Sequence, residues 1–206
     1  MEENKELTAE RSLEIIGRSI EQSRREMERN AGWPLILWGS LVVVTALVVG
    51  HLWEHCGGPV WNLLWFAMTA VGFAMQRWLD GRRGTAPRSF VGKVICWLWL
   101  TFAVFAIGMA VLSCLVGCLG IGAPLSYVPL TCIIILLMGF SSTVMGLLIK
   151  SGIITGFAVG SCLVGAIYCL MYSGAYEMVM LAIVALLVLV VPGLLIHLKS
   201  KGEGHV

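Results

Sequence analysis

The sequence predicts an all-α membrane protein, a bundle of six transmembrane helices preceded by a cytosolic amphipathic helix, and three observations carry that expectation. Hydrophobic residues make up 58% of the 206 positions and charged residues only 13%, with a mean hydropathy of +0.89; a soluble domain carries about 25% charged residues. The apolar residues gather into six runs of about 20 residues, the length that crosses a bilayer as a helix. All fourteen Lys and Arg residues lie in the connectors on one side of those runs, and basic residues beside a span are held in the cytoplasm.

Residues 1–31 form the first segment, a charged stretch with acids at Glu2, Glu3, Glu6, Glu10, Glu14, Glu21, Glu26 and Glu28. Such a composition does not fit a signal peptide. From about Thr8 to Asn30 it reads as a helix: Thr8 supplies a cap, acids fill the early turns, and Arg24, Arg25 and Arg29 fall in the last two. Ala9, Leu13, Ile16, Ile20 and Met27 project as a thin apolar seam. That seam is too narrow for a core of its own. Its expected use is contact with a second copy of the chain or with a cytosolic regulatory protein; the lipid surface is the competing occupant.

Residues 32–199 form the transmembrane segment, with runs from Trp33 to Trp53, Pro59 to Trp78, Val94 to Val116, Pro129 to Ile149, Ile153 to Tyr172 and Met178 to Leu198. The connector between the second and third runs carries Arg77, Arg82, Arg83, Arg88 and Lys93, and Lys150 alone separates the fourth from the fifth. Residues 200–206 are a short tail, so both termini are expected in the cytosol. Trp33, Trp78, Trp97 and Trp99 mark one interface, and Trp53, Trp61, Trp65, Tyr127, Tyr172 and Tyr176 the other. The turn Lys150-Ser151-Gly152 is so short that the helices it joins must be antiparallel neighbours.

Small residues suggest how the bundle packs, because helices in lipid associate through close van der Waals contact. Gly152, Gly156 and Gly160 recur every four residues and are expected at the contact with the preceding helix, facing Gly139, Thr143 and Gly146. Pro192 is expected to kink the last helix.

One stretch offers chemistry. His51-Leu-Trp-Glu54-His55 has the H-x-x-E-H order of inverted zinc peptidases, with Cys56 next to it and Glu177 opening the sixth run on the same side as a third or fourth ligand. The alternative is that Gly57 and Gly58 end the helix there and leave these side chains solvated at the interface. The pairing best placed for a disulfide on that side is Cys56 with Cys118. No ionisable side chain falls in the middle of a run, which argues against a proton relay or voltage sensor. The sequence also contains no phosphate-binding glycine loop and no Ser-His-Asp set on one face, so no enzymatic activity is expected. Nothing points to nucleic acid.

The charged helix running into Asn30-Ala-Gly-Trp-Pro34, followed by Pro59-Val-Trp-Asn-Leu-Leu-Trp-Phe66, resembles a group of uncharacterised bacterial multi-span membrane proteins. The resemblance implies a bacterial inner membrane and brings no activity with it. Three function classes remain: a structural or regulatory module acting through its cytosolic helix, the substrate-binding subunit of an energy-coupled importer in which Ala46-x-x-x-Gly50 docks a partner helix, and a zinc site on the outer face.

Overall fold

The computed structural model describes residues 11–22, 32–57, 59–83, 90–119, 130–172 and 174–202, and helices account for nearly all of them. Residues 11–22 form α1. There follow α2 (Gly32–Cys56), a 3-10 turn (Pro59–Asn62), α3 (Leu63–Arg83), α4 (Phe90–Leu119), α5 (Leu130–Ile149), α6 (Gly152–Met171) and α7 (Ala175–Ala185), which continues through a π-helical turn (Leu186–Val190) into α8 (Val191–Gly202). Ala9, Met27 and residues 203–206 lie outside the described residues, as does the side chain of Cys118.

Among the described residues, five helices are long and apolar enough to cross a membrane: Gly32–Cys56, Lys93–Leu112, Leu130–Ile149, Gly152–Met171 and Ala175–Leu198. The run expected from Pro59 to Trp78 is not one of them. Its first residues form the 3-10 turn, and Gln76, Arg77 and Asp80 lower the hydropathy of α3 toward its end. The apolar part of α3, Leu63 to Met75, is only about 20 Å long at 1.5 Å per residue. The last helix, by contrast, extends through Gly202 into the expected tail.

Each helix packs beside its neighbour in the order α3, α2, α7–α8, α6, α5, α4, with the last long helix held between α2 and α6. The core is correspondingly centred on α2, α5, α6 and α7–α8, where Ala46, Val49, Ile135, Ala158, Ala185 and Val188 are buried. α4 contributes Ile95 and presents Trp97, Val104, Phe105 and Leu112 outward. A continuous apolar exterior of this kind belongs in lipid rather than water.

α2 and the last helix run antiparallel and approach closely. A Cβ added at Gly32 would lie 2.9 Å from the carbonyl oxygen of Gly193, and one at Gly193 would lie 3.0 Å from that of Gly32. Gly39 faces Leu189 and Val190 in the same way, and Gly50 faces Met178 and Ala175. Ala46 between them is fully buried. Gly32, Gly39 and Ala46 are seven residues apart, the repeat of a left-handed helix pair. Ala46 and Gly50, expected to dock a partner, are therefore already covered by the chain's own last helix.

α5 and α6 form a hairpin around one left-handed residue. Lys150 has φ 57°, its N–H bonds to the Leu147 carbonyl at 3.1 Å, and the Ser151 N–H bonds to the Gly146 carbonyl at 2.9 Å. This is the Schellman pattern, in which glycine is the usual left-handed residue; a lysine there carries about 1–2 kcal/mol of local strain. Ser151 then accepts the Thr155 N–H at 3.2 Å and starts α6.

The expected faces of the hairpin are half right. Gly139 and Gly146 do meet α6, through Cys162 and Thr155 respectively. Gly152, Gly156 and Gly160, however, lie on the exposed face of α6, where a Cβ would meet nothing within 4 Å. The helix presents Ile154, Ala158, Cys162, Ala166 and Cys169 inward instead. The tight turn sets this rotation: it brings the backbone of Thr155 to Gly146 and so carries the glycines round to the far side.

Pro192 is buried and stands two residues beyond the end of the π-helical turn. Having no N–H, it leaves a helical carbonyl without its partner, and the π turn, with the Val191 N–H bonded to the Leu186 carbonyl, takes up the change in register. The expected kink is thus a widened turn against Gly39.

These contacts predict which glycine is sensitive. Gly193→Leu forces a side chain into the Gly32 backbone and is expected to lower stability by about 3 kcal/mol or more, whereas Gly156→Leu adds a side chain in open space and is expected to change it by less than about 0.5 kcal/mol. Thermal unfolding of the two variants in detergent checks the difference.

Candidate functional site

The bundle has two ends, one where α2 stops at His51–Cys56 and α7 begins, the other where α2 begins and Lys150 turns the hairpin. At the first end α2 finishes at Gly57, which adopts φ 61°, the left-handed conformation that glycine takes without strain. His51, Glu54, His55 and Cys56 stand exposed on its last turns. The two imidazoles do come together, with ring centroids 4.2 Å apart, and His55 Nδ1 lies 3.0 Å from the His51 carbonyl oxygen. A histidine in the last turn also complements the negative end of the helix dipole.

Glu177 is used elsewhere. Its carboxylate accepts the Gly174 N–H at 3.2 Å while its own N–H donates to the Gly174 carbonyl at 3.0 Å, so it closes the first turn of α7. Gly174 holds φ 108°, open only to glycine in practice. Although Gly50, one residue before His51, touches α7, no three His, Cys, Asp or Glu side chains converge to hold a metal among the described residues. The expected set of His51, His55, Cys56 and Glu177 is brought together only as its histidine pair.

At the other end the structure joins residues that the sequence reading left apart. The Trp38 indole N–H donates to Gln76 Oε1 at 2.7 Å, the Trp38 ring meets Phe73 edge-on at 5.3 Å, and Gly72 leaves room for its six-membered ring. Gln76 was legible only as part of the charged connector. Its amide oxygen accepts from the indole without carrying charge into the bundle.

The polar groups at mid-depth are hydroxyls. Thr69, Thr101 and Thr155 donate to the carbonyls of Trp65, Trp97 and Ser151, one turn earlier, as expected for threonine in an apolar helix. Ser141 and Ser142 are buried on α5, and Ser142 Oγ has no hydrogen-bond partner among the described residues. These groups can orient helices. They supply no acid, base or strong nucleophile.

The exposed counterpart is α1. Leu13 is 69% exposed, Ile16 55% and Ile20 52%, so three members of the expected seam stand uncovered on one helix, with Ile15 exposed beside them. Arg18 and Glu14 pair across one turn at 2.7 Å and stabilise that helix in isolation.

The geometry defines an all-helical, membrane-type bundle with an exposed amphipathic helix at its start. Comparison with protein families, with curated proteins and with solved structures finds no match to this chain. The resemblance carried by Asn30–Pro34 and Pro59–Phe66 therefore gains no support from them.

The Trp38–Gln76 bond fastens α3 to the bundle. Gln76→Leu strands the half-buried indole N–H and is expected to lower stability by about 1–3 kcal/mol. Thr101→Val, at an exposed position on α4, is expected to fall within about 0.5 kcal/mol of the parent. Chemical denaturation in detergent, followed by tryptophan fluorescence, separates the two.

Proposed function

We propose that this protein is a six-span membrane module that acts through its N-terminal helix, with both termini in the cytosol of a bacterial cell. The single observation that carries the functional half is the exposure of Leu13, Ile16 and Ile20 along one helix. Apolar residues at helical spacing, left uncovered beside a charged face, are the anchors of a helix that lies in a groove of a partner. The acids among residues 1–31 disfavour adsorption to an anionic leaflet, so the occupant is a second copy of the chain or a cytosolic protein rather than lipid.

The sixth crossing is supported by where α3 ends. Gln76 bonds to Trp38, which lies near the start of α2, so α3 returns alongside α2 to the end from which α2 set out. With α3 counted, every Lys and Arg falls on one side of the bundle; without it, the basic residues of the α3–α4 connector would fall opposite those of the N-terminal segment. The zinc reading has a histidine pair in its favour and, among the described residues, no third ligand beside it.

Two experiments test this reading. Native Cys56 is expected to react with a membrane-impermeant maleimide in intact cells, and a cysteine introduced as Lys150→Cys only after lysis; the opposite pattern overturns the topology. Ile16→Asp combined with Ile20→Asp is expected to abolish chemical crosslinking to a second copy or a cytosolic protein while the bundle still inserts and melts as the parent does. Unchanged crosslinking in that variant removes α1 as the working surface.

A further inference from the structure

Two of the buried cysteines occupy matching positions across the α5–α6 hairpin. The register is set by two contacts. Gly146 abuts Thr155 and Gly139 abuts Cys162, so a step of seven residues toward the N-terminus of α5 is matched by a step of seven toward the C-terminus of α6. One further step of the same length brings Cys132 opposite Cys169. Both are 4% exposed, so both side chains lie inside the interface rather than on its outer faces.

The two layers nearer the turn are tightly packed. At Gly146 an added Cβ would lie 2.9 Å from the backbone nitrogen of Thr155, while at Gly139 the nearest backbone atom, the Ala158 carbonyl oxygen, is 3.6 Å away. A Cβ at Gly139 would be 2.6 Å from that of Cys162, closer than the about 3.5–4.5 Å that a disulfide spans. Cys132 and Cys169 form the next layer out, where both helices carry a thiol. Cys132 lies in the first turn of α5 and Cys169 in the last turn of α6, so the pair stands at the open end of the hairpin. Cys132 and Cys169 are free thiols in this structure.

We propose that Cys132 and Cys169 are a redox pair that closes into a disulfide joining the open end of the α5–α6 hairpin. The helices are already tied at Lys150, so the bond would close the hairpin at both ends. The reaction is thiol–disulfide exchange with a disulfide-bearing oxidant: one thiol loses its proton and attacks the oxidant's disulfide, forming a mixed disulfide and releasing one thiol. The second cysteine then loses its proton, displaces the oxidant's remaining sulfur as a thiol, and the S–S bond is complete. The oxidant gains two electrons and two protons. Formation of the bond in the cell rests on the topology proposed above, which places this end of the bundle outside the cytosol, where disulfides persist. The geometry of the pair does not depend on it.

The test is a thiol count on the full-length protein, purified after free thiols have been blocked with N-ethylmaleimide in the cells. Peptides holding Cys132 and Cys169 are expected to be recovered joined, and Cys132→Ser is expected to leave Cys169 alkylated. Cys162, which faces Gly139, is expected to be alkylated once the protein is denatured in both cases and serves as the internal control. If both thiols are free on isolation yet join to each other when membranes are treated with copper–phenanthroline, the pairing holds and the outward placement is overturned. If copper–phenanthroline leaves them unjoined or joins either to another cysteine, the pairing itself is overturned.

Discussion

Where α2 crosses α8, the backbones of Gly32 and Gly193 touch with no side chain between them, and the rest of the bundle is arranged around that contact. In lipid no hydrophobic penalty drives helices together, so the approach of two surfaces must be rewarded by dispersion over their length. Gly39, Ala46 and Gly50 continue the approach along α2 and hold the last helix against the first. The opposite side of that last helix meets α6, where Gly165 admits Val184. The chain's final span is thereby the centre of the bundle, and α3 and α4 are its edges.

Closeness of backbone also explains the irregular turn at Leu186–Val190. Pro192 removes one hydrogen-bond donor in the middle of an apolar helix, a costly loss where no water can replace it. A π-helical turn redistributes the remaining bonds, and Gly39 opposite it leaves space for the wider backbone. Proline and glycine lie on different helices, 153 positions apart in sequence, but answer one another in space. Trp38 and Gln76 do the same for a polar group, satisfying an indole N–H that α2 could not serve alone.

The hydroxyls of Thr69, Thr101 and Thr155 bond to carbonyls one turn earlier and so serve the helices that carry them. Function is then expected at the surfaces that leave the lipid. One is α1, with its uncovered Leu13, Ile16 and Ile20; the other is the end of the bundle where α5 begins near Cys132 and α6 finishes near Cys169. A disulfide there would stiffen the half of the hairpin that the Lys150 turn does not reach. In the proposed six-span topology the two surfaces lie at opposite ends, and α2, packed on the last helix, is the element that connects them.

Sequence alone determined what depends on composition and on local spacing: the helical class, five of the apolar spans, the antiparallel hairpin forced by Lys150 and Ser151, and the amphipathic seam of α1. These follow from the bilayer's thickness and from the 3.6-residue turn, neither of which needs a neighbour. Only the tertiary structure decided which small residues face a partner. Gly152, Gly156 and Gly160 are the most regular glycines in the chain and look outward, while the less conspicuous Gly32 and Gly193 bring two backbones together, because helix rotation is set by the turn and the opposing surface and leaves no mark on one helix's own periodicity. The same reason hid the pairing of Cys132 with Cys169 and turned Glu177 from an expected ligand into the brace of its own helix: a register between two helices is a property of the pair.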